Sequence, residues 1–320
     1  MFRIFILSVC ASLSFGGLSQ TIDSYLEPDK AFEIGEQLHK QFKDKQAMKY
    51  LKYAAINGSA PAAFLYGKLR QPLMSTVREK NESYFFIEKS ARDGYLPALK
   101  WLYQHTLGSP QYDDWRRSYY SALILLGQSQ PGKAFYLLAD YYRHSDEERY
   151  GFYLSEAVKR KYPKALIEQA QRLDAGEGDY IVPSIKQERI ANLYLQAAQT
   201  QNISAIRAYI DWLEEHQQFS KAFYWRTKAL KLGDIFQLAS LGLIYSQPTL
   251  NYEFIETNYA KSNLLLEKYI DTAGAERFKS LYLKVQQRHK NNLEKCHPNS
   301  HLCDGDVGEL KSVMNKSFLY

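Results

Sequence analysis

The chain lacks the local signatures of chemistry. It has no Gly-x-Ser-x-Gly elbow, no His-Glu-x-x-His pair and no glycine-rich phosphate loop, so hydrolytic, metalloprotease and nucleotide-dependent activities have no motif to rest on. Beyond the first twenty residues it also lacks any run of 18 consecutive apolar residues, which excludes a spanning helix in that part. Charge of one sign is scarce. The formal net charge is +6, scattered rather than gathered into the dense stripe that nucleic acid requires. Cysteine is scarce too, with three residues at positions 10, 296 and 303.

What is present starts with Met1-Phe2-Arg3 and an apolar run from Ile4 to Leu18. A run this short, behind one positive charge and ending in the small residues Gly17 and Ser19, reads as a signal peptide over residues 1–19, cleaved before Gln20. Cys10 follows Leu7-Ser8-Val9, a poor lipobox because Val9 is bulky, and lipidation is not expected. The mature protein is therefore expected to be soluble, without membrane insertion, and periplasmic or secreted. In an oxidising compartment Cys296 and Cys303 are expected to form a disulfide, with a metal site or free thiols as the alternatives. His289, His297 and His301 lie nearby, but a six-residue gap between the cysteines is wider than the usual zinc knuckle.

Internal periodicity is the strongest signal. Six turn positions, Gly58, Gly94, Gln130, Lys161, Gln201 and Gly233, follow one another at spacings of 36, 36, 31, 40 and 32 residues. Small residues recur four before the anchor (Ala54, Ser90, Ala157, Ala197, Ala229) and four after it (Ala62, Ala98, Ala134, Ala165, Ala205). Larger groups recur eight before (Phe86, Leu193, Trp225), five after (Leu99, Leu166, Ile206) and eight after (Tyr66, Leu102, Tyr209). Offsets −8, −4 and −3 share one helix face, as do +4, +5, +8 and +12. Each unit is thus a helix, a tight turn and a second helix. A pair with one apolar stripe must stack on its neighbours. Ala91, Ala98, Leu102, Ala197, Ala198, Ala205 and Tyr209 are expected to be buried.

Tyr53-Ala54-Ala55-Ile56-Asn57-Gly58, then Ala62 and Tyr66-Gly67, resemble the Sel1-like repeats, relatives of the tetratricopeptide family. The pattern recurs as Lys228-Ala229-Leu230-Lys231-Leu232-Gly233, then Leu241-Gly242 and Tyr245, and Gly176-Glu177-Gly178 looks like an interhelical loop of that family. The resemblance covers about residues 30–284. Gln130, Lys161 and Gln201 depart from its glycine, and the unit after Tyr259 looks like a cap. It implies an all-α solenoid of about seven antiparallel helix pairs in a right-handed superhelix. The expected division is a signal peptide over 1–19, a solenoid over 20–285 and a tail over 286–320 with the disulfide loop.

Asp146-Glu147-Glu148 and Lys159-Arg160-Lys161 read as a solvated helix start and end, with charges matched to the helix dipole. Tyrosine is the compositional outlier, at 26 residues. Those at repeat offsets are packing residues. Trp101, Tyr103, Tyr136, Tyr141 and Trp212 fall elsewhere on their helices and are the candidate partner-binding residues. No cofactor, metal or catalytic residue is expected. A solenoid without chemistry points to binding, here a periplasmic adaptor contacting other envelope proteins. The alternatives are a glycan-binding module for polysaccharide or peptidoglycan, and a hydrolase of β-lactam or peptidoglycan type. Exported Sel1-like proteins serve polysaccharide-export assemblies, flagellar motor rings and host contact, and some cysteine-rich ones are linked to β-lactam chemistry. Their cysteines sit in every repeat, whereas this chain's pair lies outside them.

Overall fold

The computed structural model of the protein describes residues 26–71, 76–178, 182–296, 303 and 307–320. The expected signal peptide lies outside these residues. Among the described residues sixteen α-helices follow one another, and the β-structure is a single bridge between Asp234 and Leu319. Helix α1 (Pro28–Lys40) precedes seven pairs. These are α2 (Asp44–Ile56) with α3 (Ala60–Arg70), α4 (Val77–Arg92) with α5 (Leu96–His105), and α6 (Tyr112–Ser129) with α7 (Pro131–Tyr142). Then come α8 (Glu147–Lys159) with α9 (Pro163–Asp174), α10 (Pro183–Gln199) with α11 (Ile203–Glu215), and α12 (Phe219–Lys231) with α13 (Ile235–Ser246). The last are α14 (Tyr259–Thr272) with α15 (Lys279–Lys295), followed by the short α16 (Gly308–Met314). The fold is an all-α solenoid with the pair count that the spacing predicts.

Each turn is built as its residues demand. Four second helices open on proline, at Pro61, Pro97, Pro131 and Pro163, where the missing N–H costs nothing. Five of the six anchors are left-handed: Gly58, Gly94 and Gly233 at φ 105°, 80° and 89°, and Lys161 and Gln201 at 53° and 61°. Gln130 is the exception, the C-cap of α6 without a left-handed backbone. Its φ is −133° and ψ 64°, because the next residue is Pro131, which disfavours helical geometry before it. One residue then suffices to reverse the chain between α6 and α7.

All seven residues expected to be buried are buried. The face is wider than the expected offsets, since position −7 supplies Leu51, Ile87, Leu123 and Leu154, each no more than 1% exposed. Helices on either side of the longer loops also approach closely. A Cβ on Gly67 would stand 2.7 Å from Ile87 and 2.9 Å from the Ser83 carbonyl, and one on Gly242 would stand 2.8 Å from Leu266 Cγ. At both crossings a serine hydroxyl donates to the glycine carbonyl, Ser83 to Gly67 at 2.8 Å and Ser262 to Gly242 at 2.6 Å.

The anchors give a graded expectation. Alanine at Gly58 meets nothing within 4 Å, so its cost is the left-handed backbone alone, about 1–2 kcal/mol. Alanine at Gly233 has the same backbone cost and also places its Cβ 2.5 Å from the Ser317 carbonyl. Gly233→Ala is expected to cost clearly more than Gly58→Ala in urea denaturation, and to detach the C-terminal residues, read as faster proteolysis after α16.

The C-terminal region departs from expectation. The boundary at 285/286 falls inside α15, and beyond the disulfide between Cys296 and Cys303 the chain returns to the core. Phe318 is fully buried, with Val313 and Met314 beside it. Leu319 N–H donates to the Gly233 carbonyl at 2.9 Å, and Ile235 N–H to that of Leu319 at 3.2 Å. Replacing both cysteines with serine is expected to cost about 2–3 kcal/mol by the chain-entropy argument for a loop this short. Helix content by circular dichroism should be unchanged.

The solenoid also closes on itself. The α1–α2 turn drives Phe42, fully buried at φ 64°, into the cluster formed by α12 to α16. Its ring meets Phe278 at 4.8 Å, Phe236 at 5.6 Å and Tyr320 at 5.7 Å. Backbone bonds fasten the seam: Gly274 N–H to the Gln41 carbonyl at 2.7 Å and Tyr320 N–H to that of Lys40 at 3.0 Å. Arg277 donates to the His39 carbonyl and pairs with Asp44 at 3.3 Å.

A tyrosine-lined cleft as the candidate functional site

Two of the five candidate residues meet in one place. Tyr103 lies near the end of α5, and Tyr141 near the end of α7. The α5–α6 connection is held by Thr106, whose hydroxyl and N–H both bond to the Leu102 carbonyl, at 2.7 and 2.9 Å. This connection brings Tyr112 and Tyr119, seven apart on one face of α6, against both. The Tyr103 ring centroid stands 5.4 Å from Tyr141, 5.7 Å from Tyr112 and 5.8 Å from Tyr119. Tyr103, Leu107, Tyr112, Asp140, Tyr141 and His144 border a cleft of about 350 Å³.

Burial first, then the neighbouring Tyr112 and Tyr141, pushes the Tyr103 phenol up to about 12. Burial raises Tyr119 and Tyr141 as well, with Asp140 adding to the first and Arg116 opposing the second. The three phenols thus stay neutral at physiological pH and act as hydrogen-bond donors and acceptors. The Tyr119 hydroxyl is buried without a partner. Asp140 is engaged by Lys100 at 2.7 Å and Arg143 at 3.3 Å, so it is not a free base. The arrangement offers ring faces, neutral hydroxyls and the exposed apolar lip of Leu107, which suits a partner chain that is apolar with polar edges.

The other three candidates lie elsewhere. Trp101 and Trp212 are core residues at 6% and 5% exposure. Each stacks on a histidine one turn later, His105 at 4.1 Å and His216 at 4.2 Å. Lys68 lies 5.3 Å over the Trp101 ring, and Tyr194 packs on Trp212. Tyr136 projects from α7 on a different side from Tyr141, since five residues turn a helix by about 140°. It packs on Tyr162 at 5.2 Å, near Glu168. Tyr112 and Leu107, which complete the cleft, stand at no repeat offset and carried no sequence signal. Asp146 behaves as expected, capping α8 through Arg149 N–H at 3.0 Å.

Glu168 links Tyr136 to a half-buried ion pair. Burial works against its charge, but hydrogen bonds from Arg143 and Tyr150 outweigh that and hold its carboxyl below the ordinary value. Arg143 Nη1 stands 2.7 Å from Glu168, and the Tyr150 hydroxyl donates at 2.5 Å. A carboxyl depressed in the folded state stabilises the protein above its unfolded pKa, and that contribution is lost as pH falls through the folded value. Stability should therefore fall below about pH 4.5, and Glu168→Gln should flatten part of that acid limb in a pH series of urea midpoints.

Among the described residues no three His, Cys, Asp or Glu side chains are placed to hold a metal ion, and no helix is long and apolar enough to cross a membrane. No family model and no curated protein matches the chain. Among solved structures, it is similar to a protective antigen present in uropathogenic Escherichia coli strains that displays an SLR fold. The two are 13% identical, at a TM-score of 0.40 over 91% of this chain, which spans 62% of that one. It is also similar to a Sel1 repeat protein from Oxalobacter formigenes, 15% identical, at a TM-score of 0.40 over 89% of this chain and 86% of that one.

Proposed function

We propose that the chain is an exported, non-catalytic interaction scaffold, an adaptor that holds proteins of a cell-envelope assembly together. The observation that carries this reading is the tyrosine cleft between α5 and α7. It presents neutral hydroxyls and an apolar lip on a rigid repeat array, the composition of a partner-binding surface rather than of a reaction centre. The repeat pattern's resemblance to Sel1-like proteins and the Cys296–Cys303 disulfide support export and binding. On this reading residues 1–19 are a signal peptide, the helices through α15 the binding array and the chain from Cys296 its closing segment.

The test is site-specific photo-crosslinking in cells that export the chain. A crosslinker at Leu107, which is 77% exposed, should give a discrete protein adduct that Tyr141→Ala removes. The same group at Leu283 on α15 serves as the control for general stickiness. Equal or absent crosslinking at both positions would overturn the cleft as the binding surface, and an adduct to glycan would replace the partner with polysaccharide. N-terminal sequencing of the mature protein should begin at Gln20.

A further inference from the structure

A second surface, on the opposite half of the array, has a different chemistry. Lys221, Tyr224, Lys228 and Lys231 lie three, four and three residues apart on α12, so they form one helix face. Two adjoining depressions of about 290 and 580 Å³ run between this face and α10, and both are bordered by Gln199, Trp225 and Lys228. The α10 wall contributes Leu195 and Gln199, and no carboxylate borders either depression.

The lysines are positioned rather than neutralised. The Lys228 ammonium rests 4.6 Å from the Trp225 ring centroid and 5.0 Å from that of Tyr224. Lys221 donates to the Gln218 amide oxygen at 2.8 Å, a neutral partner. Among the described residues neither has an acid within ion-pair distance, whereas Lys231 pairs with Glu309 at 2.5 Å. Two cations are thus held over an apolar groove with no counter-charge, and rings that fix Lys228 lower the entropy lost when it binds.

We propose that this groove binds an acidic segment of a partner protein. The proposal rests on the scaffold reading but places a second contact away from the tyrosine cleft. Seven residues of helix separate Lys221 from Lys228 by about 10 Å, and flexible lysine side chains reach from there to same-face positions four residues, about 13 Å, apart on an extended chain. The segment therefore carries two carboxylates four residues apart, with an apolar side chain midway between them on the same face, seated against Leu195 and Trp225. A stacked sugar is disfavoured, because on either ring it would compete with the ammonium already there.

The test uses the full mature protein and a fluorescent ten-residue peptide with two aspartates four apart around a central leucine. Its controls are the asparagine counterpart and polygalacturonate, an anionic polysaccharide. The acidic peptide should bind with an affinity that falls as salt rises, and the amide peptide should not. Lys221→Gln and Lys228→Gln should each weaken binding roughly fivefold, whereas Lys290→Gln on α15 should not. Both groove lysines are exposed, so folding is not at risk, and unchanged circular dichroism confirms it. Equal binding of both peptides, or binding indifferent to Lys228→Gln, would overturn the proposal. Binding of the polysaccharide alone would move the site to glycans. Crosslinking from Leu107 reads the tyrosine cleft independently, so a failure here and a failure of the scaffold reading are distinguishable.

Discussion

Phe42→Ala is expected to destabilise the protein by about 3–5 kcal/mol, the range for removing a large aromatic from a packed core, and to open the helix circuit at its seam. Phe42 is fully buried, yet it belongs to no repeat. It sits between α1 and α2 and reaches Phe236, Phe278 and Tyr320, with the Arg277 guanidinium 4.8 Å from its ring. Truncation would leave a cavity among those rings and remove the cation's seat. The backbone bonds at the seam and the polar contacts of Arg277 and Glu276 would then have to hold the two ends. Urea denaturation measures the cost, and small-angle X-ray scattering the opening, as a larger radius of gyration. A loss below about 1 kcal/mol with unchanged dimensions would show that the contact is incidental. Phe254→Ala, at a half-exposed ring, should stay within about 0.5 kcal/mol.

Asp234→Ala should cost a comparable amount, about 3–5 kcal/mol, because it breaks a buried ion pair by removing one partner. Asp234 is fully buried. One oxygen caps α13 through Phe236 N–H at 3.0 Å, and the other accepts from Gln237 at 3.0 Å and from Arg207 Nε at 2.9 Å. A second Arg207 nitrogen completes a bidentate pair. The guanidinium in turn lies over Phe236 and Tyr320, at 4.7 and 4.8 Å. Alanine would strand this cation and uncap the helix at once. Asp234→Ala combined with Arg207→Met should recover part of the loss, since the stranded charge leaves with the arginine. Additive losses in that cycle would mean the pair contributes little, and that α13 capping is the whole effect.

Both predictions lie at the seam, which is where the sequence was least legible. The repeat offsets located the buried alanines and the left-handed anchors because each is a local demand, met within one helix and its turn. Gln130 occupies an anchor position as well, but Pro131, one residue on, dictates a different backbone there. Gln237 shows the opposite case: its departure from alanine at position +4 was visible. Its partners, Arg226 at 3.0 Å and Asp234, were not, since a polar network cannot be read from one member. Trp101 and Trp212 stand at no repeat offset yet are buried, because the partner helix of each pair supplies a ring, Tyr84 to Trp101 and Tyr194 to Trp212. Tyr103 and Tyr141 were found as unusual aromatics, but Tyr112 joins them only through the α5–α6 connection.

The helix pairs, their turns and the stripe by which they stack follow from period and side-chain size, which act over four to eight residues. Tertiary structure alone decided that the array closes, that residues 313–320 return to the core and that a tyrosine cleft and a basic groove lie where they do. Each repeat adds a small rotation to the last. Whether Phe42 meets Phe278 depends on the sum of those rotations over the whole chain, and no single repeat encodes that sum.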